Sequence, residues 1–253
     1  MNWRGLYTLW RKEVWRFLKV TVQTVLTPVV TALLYLLIFN HVLEDRVEIY
    51  AGVPYSAFLI PGLIMMAVIQ NAFANSSSSL IQSKMAGNLV FLLLSPISPL
   101  EFYLAFVLAA VLRGLLVGLG VYLVSLWFVD LPLLHPGLVL AFAVLGSAVL
   151  GALGLLAGIW AEKFEQLAAF QNFVILPLSF LSGVFYSLHS LPGIWQDISR
   201  FNPFFYMIDG FRHGFLGVSD LAPATSLAVG GAFLALVSAL CLILLARGYK
   251  LRQ

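Results

Sequence analysis

Asp197, Arg200, Asp209 and Arg212 stand close together late in the chain, each acid three residues before an arginine. That spacing puts both members of a pair on one face of a helix, where they can form an ion pair. Arg113 instead stands alone near the middle of an apolar run. An unpaired charge there costs at least about 2.5–3.5 kcal/mol, so it must pair, hydrate or reach an interface. Two roles fit it: a cation lining a cavity or meeting a lipid phosphate, or a cation satisfied by Gln70, Asn71 or Asn75 of a neighbouring run. None of this is catalytic chemistry. No G-x-x-x-x-G-K-[ST] loop, H-E-x-x-H or G-x-S-x-G occurs, and the four histidines lack metal-ligand spacing. The chain is read as a non-enzyme with no cofactor or metal of its own. Its one cysteine, Cys241, lies inside the last apolar run and forms no internal disulfide.

The elements that position these residues follow from composition. Of 253 residues, 61% are hydrophobic and 10% charged, against about 25% charged in soluble domains. Six runs approach or exceed the roughly 20 apolar residues that cross a bilayer: 20–40, 57–80, 100–129, 137–160, 167–187 and 224–246. None alternates like a barrel strand, so the expected fold is all-α, six transmembrane helices in one domain, 1–253. Gly114-x-x-x-Gly118 and Gly154-x-x-x-Gly158, with Ser147 and Gly151, offer small faces for close helix packing. With the N-terminus cytoplasmic, ten of the fourteen basic residues fall inside, Arg46, Arg200 and Arg212 fall outside, and Arg113 lies within a span. The positive-inside rule then places both termini in the cytoplasm.

Before the first span, Trp3, Leu6, Tyr7, Trp10, Val14 and Phe17 form one helical stripe, with Arg4, Arg11, Lys12 and Arg16 largely off it. Residues 1–19 read as a retained interfacial elbow helix. A signal peptide is the rival reading, disfavoured by a run long enough to span and by the lack of a small-residue cleavage pattern. The polar run NAFANSSSSL at 71–80 fits a wet cavity, a cytoplasmic helix end, or serines bonded to their own helix's carbonyls. Between the second and third spans, Ile81, Met85, Leu89 and Leu92 share a stripe. Ser98, Pro99 and Glu101 then form a capping box with proline at the first helical position. This connection, 81–98, reads either as a surface connector or as a contact for a cytoplasmic partner.

In the charged stretch, Ile194, Trp195, Ile198 and Phe201 make one short stripe, and Phe204, Ile208, Phe211 and Phe215 a second. Asn202 is the N-cap between them and Pro203 the first helical residue. Two helices too short to span suggest a re-entrant or interfacial hairpin over 190–217; an ordinary external loop is the alternative.

The sequence LSGVFYSLHSLP, then NPFFY and DGFRHGFLG, over residues 181–217, resembles the permease subunits of type-2 ABC exporters, also called the type V exporter fold. The order of elbow helix, six spans and hairpin extends the likeness over nearly the whole chain. It looks closest to small bacterial inner-membrane permeases of drug or lipid-like substrate type. The resemblance implies a homodimer of permeases and two copies of a cytoplasmic ABC ATPase that carry ATP and Mg. It makes 81–98 the coupling-helix region, with Lys84, Met85, Leu89, Leu92, Ser98 and Glu101 as ATPase contacts. Many members carry a basic–acidic cluster where this chain has Lys84 followed by Gly87 and Asn88. The hairpin would help close the exit, with Phe204, Phe205, Tyr206 and Phe211 as gate or interface residues beside Asp197, Arg200, Asn202, Pro203, Asp209 and Arg212. A glycan or glycolipid cargo, an ion-coupled secondary carrier and a non-transporting scaffold are the alternatives. Nothing in the basic balance calls for nucleic acid.

Overall fold

The computed structural model describes residues 2–43, 49–50 and 52–250, and all regular structure among them is helical. Arg46 and Arg252, counted above by charge, lie outside the described residues, as do the side chains of 40–43. Among the described residues, five helices are long and apolar enough to cross a membrane: α2 (Thr21–Leu43), α3 (Tyr55–Met85), α5 (Pro99–Ser125), α6 (Pro136–Trp160) and α11 (Pro223–Arg247). Helix α1 (Trp3–Leu18) precedes them and α4 (Leu89–Leu94) joins α3 to α5.

The expected fifth span departs from its reading. Instead of one run over 167–187 there are α7 (Phe164–Phe170), a π-helical turn (Gln171–Ile175) and α8 (Leu176–Phe180), with α8 ending well short of Ser187. Pro177 lacks the N–H that would bond Phe173, and the Leu176 N–H reaches back five residues to Gln171. Beyond this segment come α9 (Gly193–Phe201) and α10 (Pro203–Leu216).

Helix α3 is the axis of the fold, buried along nearly its whole length and packed on α5, α6, α10 and α2. It continues through Met85, so Ile81 and Met85 belong to it and not to the short connecting helix. Small residues set the approach of its neighbours. A Cβ on Gly154 would collide with the Phe73 carbonyl of α3, and one on Gly158 would lie 3.0 Å from Leu80 Cβ. On α5, a Cβ at Gly114 would meet the Ser147 hydroxyl of α6, and one at Gly118 would lie 2.6 Å from Val68 Cγ2. The opposing atom at Gly154 is backbone and cannot swing away. Gly154→Ala is therefore expected to destabilise the detergent-solubilised protein by about 1–3 kcal/mol. Gly137→Ala, where a Cβ meets nothing within 4 Å, should leave the thermal midpoint unchanged.

Helix α1 packs against α5, burying Leu9, Glu13, Val14 and Phe17. Trp3 and Tyr7, read as part of the apolar stripe, are exposed. The face buried against α5 carries an acid, Glu13.

Candidate functional site

Two polar clusters sit at opposite ends of α3. At its N-terminal end, Arg212 of α10 is fully buried. Its Nε donates to the Phe58 carbonyl (3.3 Å), its Nη2 donates to the Gly183 carbonyl (2.6 Å), and the guanidinium lies 3.9 Å from the centre of the Phe58 ring. Gly183 accepts this role because its φ of +74° suits glycine, and a Cβ there would press to 3.2 Å on the Phe205 ring. Asp209 does not pair with Arg212 as the three-residue spacing suggested. Its carboxylate accepts the backbone N–H groups of Asp220 (2.8 Å) and Leu221 (3.0 Å). Burial pushes its carboxyl up to about 6, against the opposing pull of those N–H groups and of Arg212. Asp220 in turn accepts from Tyr50 Oη (2.8 Å), Ser187 Oγ (2.5 Å) and the Leu188 N–H (2.7 Å).

The helix start at Asn202 forms as the sequence predicts. Its Oδ1 accepts the Phe204 N–H (3.0 Å), Pro203 opens α10, and Asn202 Nδ2 donates to the Leu178 carbonyl of α8 (2.7 Å). Phe204, Phe205 and Phe211 are buried in the core, while Tyr206 is half-buried with its hydroxyl donating to the Arg200 carbonyl. Asp197 and Arg200 approach to 3.9 Å on the exposed surface, a contact of little energetic consequence. The stripe Ile194, Trp195, Ile198 and Phe201 is exposed along α9.

At the other end, α1 is fastened to α3 and α5. Glu13, fully buried, pairs with Arg16 (3.2 Å) and Lys12 (2.9 Å) and accepts from Ser79 Oγ (2.5 Å). Arg16 Nη2 donates to both the carbonyl and the Oδ1 of Asn75, each at 2.8 Å. The serine run thus divides its work. Ser77 and Ser78 bond carbonyls of their own helix, and Ser79 meets Glu13.

The capping box at Ser98 and Glu101 forms, and Glu101, buried, also accepts the Asn2 N–H. Asn2 caps α1 and donates to the Pro96 carbonyl (3.1 Å), so one carboxylate ties together the starts of α1 and α5 and the end of the connection. Lys84 donates to the carbonyls of Ile159 (2.6 Å) and Ala161 (3.0 Å), capping the end of α6. Leu89 is buried and Leu92 partly so. Met85 is exposed, as are Val90, Phe91 and Leu94 of α4. Nearby, Lys250 pairs with Glu162 at 2.7 Å, which raises the lysine's pKa and lowers the glutamate's.

Between the two clusters, Arg113 Nη2 donates to Asn71 Oδ1 (3.1 Å). Of the three predicted partners, Asn71 takes this role. Asn75 is held by Arg16, and Gln70 Nε2 has no partner among the described residues.

A family model described as ABC-2 type transporter matches residues 4–216, which runs from α1 through α10. The chain belongs to the ABC-2 type transporter family. It is 41% identical to the inner membrane transport permease YadH of Escherichia coli (strain K12), covering 100% of this chain and 99% of that one. It is 26% identical to nodulation protein J of Rhizobium meliloti (strain 1021), over 85% of this chain and 82% of that one. An ABC-2 permease is the membrane component of a transporter, generally without catalysis of its own, and the family implies partnership with an ABC ATPase.

Within this ABC-2 permease, the sequence pattern over residues 181–217 has a physical basis. Gly183, Asn202, Pro203 and Arg212 hold α3, the loop after α8 and α10 together. Sequence reasoning passed over Glu13 and Asp220. An acid three residues after Trp10, on the apolar side of a basic helix, was a readable signal for Glu13. Asp220 lies in a short loop with no periodicity to mark it.

Proposed function

We propose that this chain is the membrane-spanning permease of an ATP-driven exporter in a bacterial inner membrane, moving a hydrophobic, lipid-like or drug-like molecule outward. Two permeases would surround the pathway, and two ABC ATPase subunits would carry ATP and Mg at the basic, cytoplasmic end. The observation that carries this reading is the unit formed by α1, α4 and the start of α5. Glu101, Asn2 and Pro96 lock these segments together while Val90, Phe91 and Leu94 point away from the core. An exposed apolar face on a short helix, held rigidly to the bundle, suits a cleft in a cytoplasmic ATPase.

In this reading α7, the π turn and α8 together make the fifth of six crossings. Their 17 residues, Phe164 to Phe180, give about 25 Å at about 1.5 Å per residue, and both termini are cytoplasmic. Helix α1 is the elbow, its exposed Trp3, Tyr7 and Trp15 in the headgroup zone. Helices α9 and α10 form the outer hairpin. Exposure of Asn172 and Phe173 on the fifth crossing, and of Thr27 and Thr31 on α2, supports a second copy and a pathway against these faces. The similarity to a protein named an inner membrane transport permease supports the location.

The test is co-purification with the ABC ATPase and ATP hydrolysis by the complex in lipid. Phe91→Asp with Leu94→Asp alters only exposed side chains, so the permease should still fold. Losing the burial of two such side chains should reduce assembly or coupled hydrolysis at least about tenfold. Unchanged coupling would remove α4 from the contact.

A further inference from the structure

A groove of about 450 Å³ opens between α2, α3 and α5, and its two ends differ in chemistry. Toward the α1 end it is lined by Arg16, Gln23, Thr24, Asn71, Ser78 and Arg113; toward the other end by Ala32, Tyr35, Leu63 and Met66. Its polar end has donors to spare. Arg113 Nε and Gln70 Nε2 are shielded from solvent and have no hydrogen-bond partner among the described residues. Both groups can only donate, and an unmet buried donor is costly. Among the described residues no carboxylate lines the groove, and Glu13, beside Arg16, is shared with Lys12. On the α2 wall, Gln23, Thr27 and Thr31 are exposed at four-residue spacing. That is a polar stripe on a helix otherwise fit for hydrocarbon, and it gives a charged group a path along the helix.

We propose that this groove binds an amphiphile with an anionic, phosphate-type headgroup. The oxyanion meets Arg113, Gln70 and Arg16, and the acyl part lies along the Tyr35, Leu63 and Met66 end. Two cations and unmet N–H donors at one end, with apolar lining at the other, favour an anionic headgroup over a neutral one. The proposal rests on the transport reading only in making this amphiphile a cargo and not solely a resident lipid.

The test uses the full-length permease in detergent, observed by native mass spectrometry with phosphatidylglycerol or phosphatidylcholine of identical acyl chains. The wild type should retain phosphatidylglycerol about tenfold more strongly, and Arg113→Gln should bring the ratio close to one. Equal retention by the wild type, or an undiminished preference in Arg113→Gln, overturns the site. Excess inorganic phosphate should fail to displace the lipid; full displacement would mean a free-anion site and would overturn the amphiphile. Should Arg113→Gln not accumulate, photoreactive phosphatidylglycerol on the wild type decides. Crosslinks within 20–35 and 63–78 support the groove, and crosslinks confined elsewhere overturn it. ATPase co-purification is scored on the same preparation. Assembly without lipid selectivity overturns the groove alone, and selectivity without assembly overturns the transport reading alone.

Discussion

Replacing Arg16 with methionine is expected to destabilise the permease by about 3–5 kcal/mol, because it strands a buried carboxylate. Glu13 is fully buried, and its other cationic partner, Lys12, is largely solvated. The same change frees Asn75, whose carbonyl and Oδ1 both accept from Arg16. Truncating one partner of a buried pair costs more than removing both, so Glu13→Gln in the Arg16→Met background should recover about half or more of the loss. Thermal unfolding of the purified protein, followed by size-exclusion fluorescence, measures all four corners of this cycle. Additive losses would mean that Glu13 and Arg16 act independently and that packing alone holds α1. Because α1 and α4 share the Glu101 clamp, the single variant should also weaken ATPase coupling, and the double variant should restore part of it.

Arg212→Met is expected to cost about 2–4 kcal/mol at the other end of α3. Two carbonyls from distant parts of the chain, Phe58 and Gly183, lose a charged donor, and the Phe58 ring loses its cation. Asp209 is left buried without its nearby positive charge, so its carboxyl should be driven further toward the neutral form. Lysine is a poor substitute, since one ammonium cannot reproduce a planar fork aimed at two carbonyls and stacked on a ring. Arg212→Lys should therefore keep less than half of the lost stability. Full stability in either variant, read as an unchanged thermal midpoint, would mean that α10 is held by Phe204, Phe205 and Phe211 alone.

These two arginines show what the sequence makes legible. Local chemistry was readable because caps are set by neighbours a few residues apart. Ser98 with Glu101, and Asn202 with Pro203, form as their spacing requires. The buried stripe Phe204, Ile208, Phe211 and Phe215 also follows from periodicity. The same local logic misled at Asp209 and Arg212, where three-residue spacing permits an ion pair but partners 29 and 154 residues away win Arg212. The fifth apolar run looked continuous because hydropathy does not register hydrogen-bond phase. The phase slips at Gln171–Ile175, just before Pro177. Helix α3 outran its expected end since Lys84 reaches the carbonyls closing α6 and holds the last turn in place. Arg113 kept two readings, and the structure fills only part of its donor capacity, with Asn71.

The most direct measurement of the central claim is ATP hydrolysis by the permease co-reconstituted with its ABC ATPase in lipid nanodiscs. A stable complex of two permeases and two ATPases is expected, with hydrolysis that falls at least about tenfold when Phe91 and Leu94 of α4 are replaced by aspartate. A permease that elutes free of the ATPase, or that moves substrate alone on an ion gradient, would contradict it.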